Sequence, residues 1–367
     1  MKSKKTILVC PLDWGLGHAT RCVPLVEQFL AEGYQVIIGA DKNPLAFLQQ
    51  EFPELKTVVI PGYEINYGEK GSALKLFYES VKFFNFIKEE HQFIEEIIKE
   101  NNIDMIVSDN RYGLYSKKVK SIIITHQLYV KAPLGEKIAH KKIEKLIGNF
   151  DECWIPDMEG TPNLSGDLSH LKPFKHPHKF IGALSRFTSL RTLRKEKRSN
   201  FKKEFDYDII AILSGPEPQR TIFEKLVFEQ IEKHNLKAVV VLGLPSSNVI
   251  ARDKTEAILT SVNEIASLSR KAMPRNGENI RIFNHLPTEE FYNYIQKSKV
   301  VVCRAGYSSI MDLAALNKKA ILVPTPGQTE QEYLASYHLK KGKFYSQKQS
   351  EFDLEKGLVE VENFSLK

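Results

Sequence analysis

Residues 299–333 read KVVVCRAGYSSIMDLAALNKKAILVPTPGQTEQEY, and their pattern decides the fold class. An apolar strand runs over Val300 to Cys303, Arg304-Ala305-Gly306 makes a glycine turn, and Ser308 opens a helix. Asn317 and the two lysines after it stop that helix; a second apolar strand covers Ala320 to Val323. A Pro-Thr-Pro-Gly loop then leads into another helix near Thr329. Strand, short loop, helix and strand at this spacing predict a βαβ unit of a parallel sheet. Ligands of such sheets sit beyond the carboxyl ends of the strands, where both loops lie. A glycine turn entering a helix, here Gly306 to Ser308, offers free backbone N–H groups and a positive dipole end to a phosphate. Asp312, one turn further, is placed to accept hydrogen bonds from vicinal ribose hydroxyls, and Gln331 and Glu332 from a sugar. A carboxylate near a helix start is also an ordinary dipole partner, so spacing alone leaves both readings standing.

The second signal is the loop Gly15-Leu16-Gly17-His18-Ala19-Thr20-Arg21, directly after the apolar run Thr6 to Leu12. Glycines allow tight turns and close ligand approach. They put His18 at the start of a helix predicted over Ala19 to Glu32, where backbone N–H groups favour neutral imidazole. A neutral ring near pH 7 can take a proton from an attacking hydroxyl; a histidine that only caps the helix is the alternative. Asp109, at another strand end, is a second candidate base.

Strand–helix alternation continues through the first half of the chain. Its longest element is the amphipathic stretch Ala73 to Glu100, and a basic helix follows at Lys137 to Gly148. The pattern restarts at Tyr207 with a strand ending in Ser214-Gly215-Pro216. This predicts an α/β protein of two Rossmann-like, doubly wound domains facing a cleft. The expected boundaries are a first domain over 1–184, a basic linker over 185–206, a second domain over 207–345 and a polar tail over 346–367. The stretch Asn248 to Asn276 reads as part helix, part loop.

At 367 residues, with 42% hydrophobic and 26% charged, the chain has the composition of a globular protein with two ordinary domains. No run approaches the length of a membrane-spanning helix. The four cysteines are scattered without a CxxC, which argues against zinc and structural disulfides and suits a reducing cytoplasm. The formal charge of +7 gathers between Arg186 and Lys203, where eight Lys or Arg face Glu196. No recognition-helix, RRM or KH signature accompanies it, so no nucleic-acid partner is expected. A solvated linker, an anionic substrate or an anionic membrane surface accounts for the charge. Lys137, Lys141, Lys142 and Lys145 beside Ile138, Leu146 and Ile147 offer a further basic, amphipathic face for such a surface. No His, Asp or Glu cluster has metal-ligand spacing.

The run CRAGYSSIMDLAALNKKAILVPTPGQTEQEY resembles the carboxyl-terminal donor-binding segment of GT-B glycosyltransferases of the family 28 type. It is most similar to that of the peptidoglycan N-acetylglucosaminyltransferases that form lipid II. That pattern has Cys-Arg-Ser-Gly, a Glu eight residues after the Arg, Val-Pro, and a Gln-Gln pair. Here Asp312 stands for the Glu, Arg304 for the Arg, and Gln331-Glu332 for the pair. The amino-terminal loop resembles both the same transferases and, through GxGHxxRC, the UDP-sugar hydrolase of pseudaminic acid synthesis. In the latter His18 would act on water.

The resemblance implies further site residues. Ser214-Gly215 with Arg220 corresponds to the loop at the donor's phosphates, although Pro216 and Pro218 depart from it. Arg186, in Gly182 to Arg186, is implied at the donor nucleotide, Phe283 at the base, and His126-Gln127 on the acceptor side. Together these imply inverting transfer of a hexose-type sugar, an N-acetylhexosamine by resemblance to those transferases, from a UDP-sugar to a hydroxyl acceptor that is glycan- or lipid-linked. The nucleotide sugar is a substrate, and neither a cofactor nor an obligatory metal is expected. The expected location is cytoplasmic, peripheral at the inner face of the membrane. The competing readings are a nucleotide-sugar hydrolase or epimerase on the same scaffold and a non-catalytic nucleotide-sugar sensor.

Overall fold

The computed structural model describes residues 4–62, 73–132, 135–188, 205–244 and 279–364, with the backbone alone over 73–81. Most of the 185–206 linker and the whole of Asn248 to Asn276 lie outside the described residues. The first lobe is a seven-stranded, all-parallel sheet of order β3-β2-β1-β4-β5-β6-β7. Its inner strands are β2 (Gln35–Ala40), β1 (Thr6–Pro11), β4 (Met105–Asp109) and β5 (Lys120–Ile124). β3 (Lys56–Val59) lies at one edge, with β6 (Glu152–Ile155) and β7 (His178–Phe180) toward the other. Near-continuous apolar runs such as Ile7 to Cys10, fully buried, are what a sheet covered on both faces demands.

The covering helices of this lobe are α1 (Leu16–Ala31), α2 (Lys42–Glu51), α3 (Ala73–Asn101), α4 (Glu136–Ile147) and the short α5 (Asp167–His170). Helix α2 was not anticipated; Asp41 caps it by accepting from Lys42 N, and Leu45, Phe47 and Leu48 bury its inner side.

The second lobe repeats the plan with the six-stranded parallel order β10-β9-β8-β11-β12-β13. These strands are β8 (Tyr207–Ile212), β9 (Ala238–Val241), β10 (Ile280–Phe283), β11 (Ser298–Cys303), β12 (Ala320–Leu322) and β13 (Tyr345–Ser346). Its helices are α6 (Gln219–Lys233), α7 (Thr288–Lys297), α8 (Tyr307–Leu316), α9 (Thr329–Lys340) and α10 (Leu354–Glu360). Asn317 ends α8 in a left-handed conformation (φ 52°), as its sequence position promised. Residues 346–364, read from the sequence as a polar tail, begin inside β13 and send Phe352, Leu354 and Val361 into the core.

Strand order reverses between β1 and β4 in the first lobe and between β8 and β11 in the second. Crevices open at the carboxyl ends of the strands at such switch points. The two crevices face each other. One apolar cluster runs through both lobes, from Ile7 and Leu25 to Met311 and Leu334, with Phe187 packed edge-on against Phe291 at 5.9 Å.

Candidate active site in the interlobe cleft

The loop after β1 is tied to the end of β4, for Leu12 N donates to the Asp109 carbonyl at 3.0 Å. Gly15 caps α1 with φ 87°, a conformation that favours glycine. The helix begins at Leu16, earlier than expected, so His18 stands inside its first turn. His18 and Arg21, three apart, share one helical face, and both point at Asp109. The His18 Nδ1 lies 3.1 Å from Asp109 Oδ2 and 2.9 Å from Arg21 Nη2. Arg21 Nε donates to Asp109 Oδ2 at 2.7 Å, and its Nη2 donates to Oδ1 as a second, shorter bond. Asp109 is 0% exposed, whereas the His18 side chain keeps 16% of its surface.

Burial, and then the Arg21 charge, pull the His18 pKa below its ordinary value against the opposing pull of Asp109. Burial pushes Asp109 upward, but Arg21 and His18 outweigh it and hold the carboxyl at about 2. The group facing the cleft is therefore a neutral imidazole, and the carboxylate behind it stays ionised. Asp109 accepts and Arg21 only donates, so they compete for Nδ1. A proton on Nδ1 given to Asp109 leaves the Nε2 lone pair for a substrate; a bare Nδ1 taking Arg21's proton does not. Asp109, read from sequence as a second base, is enclosed by these two partners and is placed to orient His18.

The second lobe meets this loop directly. Ser308 Oγ, in the first turn of α8, donates to the Gly17 carbonyl at 2.8 Å. A Cβ added at Gly17 would stand 3.1 Å from that Oγ, so this glycine answers a close approach between lobes. Gly306 caps α8 and has open space where a side chain would begin. The N–H groups of the first turn are thus left to face the cleft. His126 stacks on Tyr307 at 3.9 Å, and its Nε2 lies 2.7 Å from Glu330 Oε1. Gln127 Nε2 donates to Glu330 Oε2, so the expected acceptor-side pair is bridged to the first turn of α9.

The donor-side residues divide. Ser214 and Gly215 are exposed after β8, and Gly215 has φ 112°. Asp312 Oδ1 accepts from Ser185 Oγ at 2.6 Å, and burial raises its carboxyl to about 6. Arg186 is buried among Phe47, Phe187 and Phe291, 3.4 Å from Thr288 Oγ1, with its Nε unpartnered. Phe283 ends β10 against Tyr294 at 5.0 Å.

Four others are braces in this structure. Arg220 pairs with Glu217 of the loop and Glu224 of its own helix, each at 2.7 Å. Arg304 donates to the Gln219, Val323 and Pro324 carbonyls and lies 4.2 Å from the Phe223 ring centre. Gln331 Oε1 accepts from Thr325 N, and Glu332 Oε1 from Gly327 N, each at 2.9 Å. These two hold the Pro-Thr-Pro-Gly loop.

Sequence reading overlooked Arg21, Tyr307 and Glu330. The first had a signal, the three-residue spacing from His18; the others had none beyond neighbouring residues already singled out. Among the described residues, no group of three or more His, Cys, Asp or Glu is placed to hold a metal ion.

Two parallel α/β lobes that face each other across a crevice lined by glycine loops define the GT-B glycosyltransferase fold. Residues 222–367 match the glycosyltransferase family 28 C-terminal domain, which includes the 299–333 stretch. Similar solved structures include MurG of Acinetobacter baumannii, with a TM-score of 0.51 and 13% identity over 98% of this chain and 92% of that one. Another is the glycosyltransferase SnogD of Streptomyces nogalater, at 0.59 and 12% over 98% and 93%. A putative UDP-N-acetylglucosamine 2-epimerase of Listeria monocytogenes scores 0.58 at 14% over 99% and 90%. An uncharacterized glycosyltransferase of Methanosarcina acetivorans is 21% identical over 92% of this chain and 84% of its own length. These comparisons support a glycosyltransferase.

Proposed function

We propose that the protein transfers a hexose-type sugar, an N-acetylhexosamine by analogy, from a UDP-sugar to a hydroxyl acceptor with inversion. The observation that carries this is the 2.8 Å contact between Ser308 and Gly17, which brings the first turn of α8 against the loop holding His18. Diphosphate at that helix start meets backbone N–H groups and a positive dipole end. His18, neutral and oriented by Asp109, removes the acceptor proton through Nε2 as the hydroxyl attacks the anomeric carbon. Departing negative charge on the nucleotide is stabilised by fixed N–H dipoles and hydroxyls, with Asp312 and Arg186 toward the nucleoside. Transfer then proceeds in EDTA; activity lost to EDTA and restored by manganese would contradict this part.

A second reading has one observation in its favour. The Glu330 bridge to His126 and Gln127 narrows the acceptor side, which suits water as the nucleophile and makes the enzyme a nucleotide-sugar hydrolase. Incubation with UDP-sugars, with and without glycan and lipid-linked acceptors, separates the two. Acceptor-dependent UDP release marks a transferase. Stoichiometric free sugar without acceptor marks a hydrolase. For a lipid-linked acceptor, the lysines of α4 with Ile138 (64% exposed) offer an anionic bilayer a docking face. Liposome flotation with and without anionic lipid tests it, and lipid-independent behaviour would end it.

A further inference from the structure

The turn that leaves the first lobe rests on a group that the donor reading gives to the nucleoside. Gly182 to Arg186 follows β7, and Gly182 N fixes its start by donating to the Asp157 carbonyl at 3.0 Å. The turn then meets α8 of the second lobe twice. Leu184 N donates to Met311 Sδ at 3.3 Å, and Ser185 Oγ donates to Asp312 Oδ1 at 2.6 Å. Ser185 is buried and held for that contact, its Oγ accepting from Phe187 N at 3.2 Å and its carbonyl from Thr188 N at 3.1 Å.

Asp312 is less enclosed than its partner, for it is half-buried and its Oδ2 keeps contact with solvent. Among the described residues Ser185 is the one hydrogen-bond donor to this carboxylate. Arg186 attracts it, and directs its own Nη1 to Thr288 Oγ1 at 3.4 Å. A carboxylate accepts through two oxygens, and the vicinal hydroxyls of a ribose supply two donors. One of the two acceptor positions is thus filled by a protein hydroxyl of the same chemistry.

We propose that Ser185 is a stand-in for a ribose hydroxyl, filling one acceptor position of Asp312 that a ribonucleotide takes over when both of its ribose hydroxyls bind. This rests on the nucleotide-sugar reading above and adds a competitor from the chain itself. A ribonucleotide gains one net hydrogen bond at Asp312. A 2′-deoxynucleotide exchanges one hydroxyl for another and gains none. Binding of the donor also frees the interlobe turn from α8, so Ser185 links donor occupancy to the connection between the lobes.

Calorimetric affinities for UDP and 2′-deoxy-UDP test this at pH 7.5, above the Asp312 pKa of about 6. The proteins are wild type, Ser185→Ala, Ser185→Cys, Asp312→Ala and the double variant Ser185→Ala/Asp312→Ala. Loss of a purely structural brace would leave UDP binding unchanged or weaken it. Loss of a competing hydroxyl should tighten UDP binding about tenfold, as a hydrogen bond to a charged group is worth. Ser185→Cys should shift it the same way, because a thiol is a weak donor. In the Asp312→Ala background Ser185→Ala should change nothing, and the preference for UDP over 2′-deoxy-UDP should vanish. UDP binding that is unchanged or weaker in both Ser185 variants would overturn the stand-in and leave the donor reading intact. So would equal tightening in the Asp312→Ala background, or a wild type that binds both nucleotides equally. Absence of UDP binding to all of these proteins would overturn the donor reading and the stand-in together.

Discussion

Arg21 and Asp109 are joined by two hydrogen bonds deep in the first lobe, and the same guanidinium reaches His18 Nδ1 at 2.9 Å. The arrangement ties the charge state of a buried pair to the tautomer of the cleft-facing ring. Removing one member therefore affects stability and chemistry at once.

Asp109→Asn keeps the side-chain shape but leaves Arg21 buried without its counter-charge. Breaking a buried pair in this way costs about 3–5 kcal/mol, and the ring loses the acceptor that fixes its productive tautomer. Denaturant melts should show that loss, with turnover down by about 10²–10⁴-fold. A variant of wild-type stability and rate would contradict the assigned role.

The acid side of the stability profile follows from the same pair. Asp109 holds its proton only near pH 2 when folded, against about 3.9 in an unfolded chain. The unfolded state binds more protons between these values, so the stabilisation is complete above about pH 4 and is lost as pH falls through about 2. Asp109→Asn should flatten this portion of a stability-versus-pH curve.

Asp312 behaves oppositely. Its folded pKa of about 6 lies above the unfolded value, so the native state keeps the proton longer and ionisation lowers stability as pH rises through about 6. Asp312→Asn should melt higher than wild type at pH 7.5 and equal to it near pH 4. On the proposed function the same variant binds nucleotide sugar more weakly. A lower melting point at pH 7.5 would contradict the burial argument.

Much of this was legible in the chain. The parallel sheets showed as apolar runs bounded by turn residues, and both glycine loops lie at the strand ends where the pattern put them. Side-chain direction was not legible. Arg304 and Arg220 sit beside the expected phosphate loop, where local carbonyls and carboxylates take up most of their donors; Arg304 Nε, unpartnered, stays 3.8 Å from where a Cβ on Gly215 would stand. In the first turn of α9, successive residues point about 100° apart. Helix phase sends Glu330 across the cleft and turns Gln331 and Glu332 onto their own loop. Polar composition likewise hid Leu354, whose burial makes residues beyond 346 part of the second lobe.

Glu330 gives the interlobe bridge a measurable strength. A double-mutant cycle on His126→Ala and Glu330→Ala should return a coupling of about 0.5–3 kcal/mol in thermal or denaturant unfolding. Additive losses would mean that the bridge does not hold the lobes.

The pH dependence of kcat/KM reports the base. With the His18 pKa lowered by burial and Arg21, the acid limb should fall below the ordinary histidine value of about 6.5, leaving the rate flat around neutrality. His18→Gln should lower turnover by about 10²–10⁴-fold at every pH. An acid limb above 6.5, as a histidine stabilised in its charged form would give, contradicts this assignment.

The central claim is that a nucleoside diphosphate lodges between the α8 glycine turn and the loop after β8. Amide hydrogen exchange with and without UDP tests it most directly. Slowed exchange in peptides covering 304–312 and 213–216, accompanied by 15–21 across the cleft, is the predicted result. UDP binding that leaves those peptides unchanged, or protects only residues elsewhere, would contradict it.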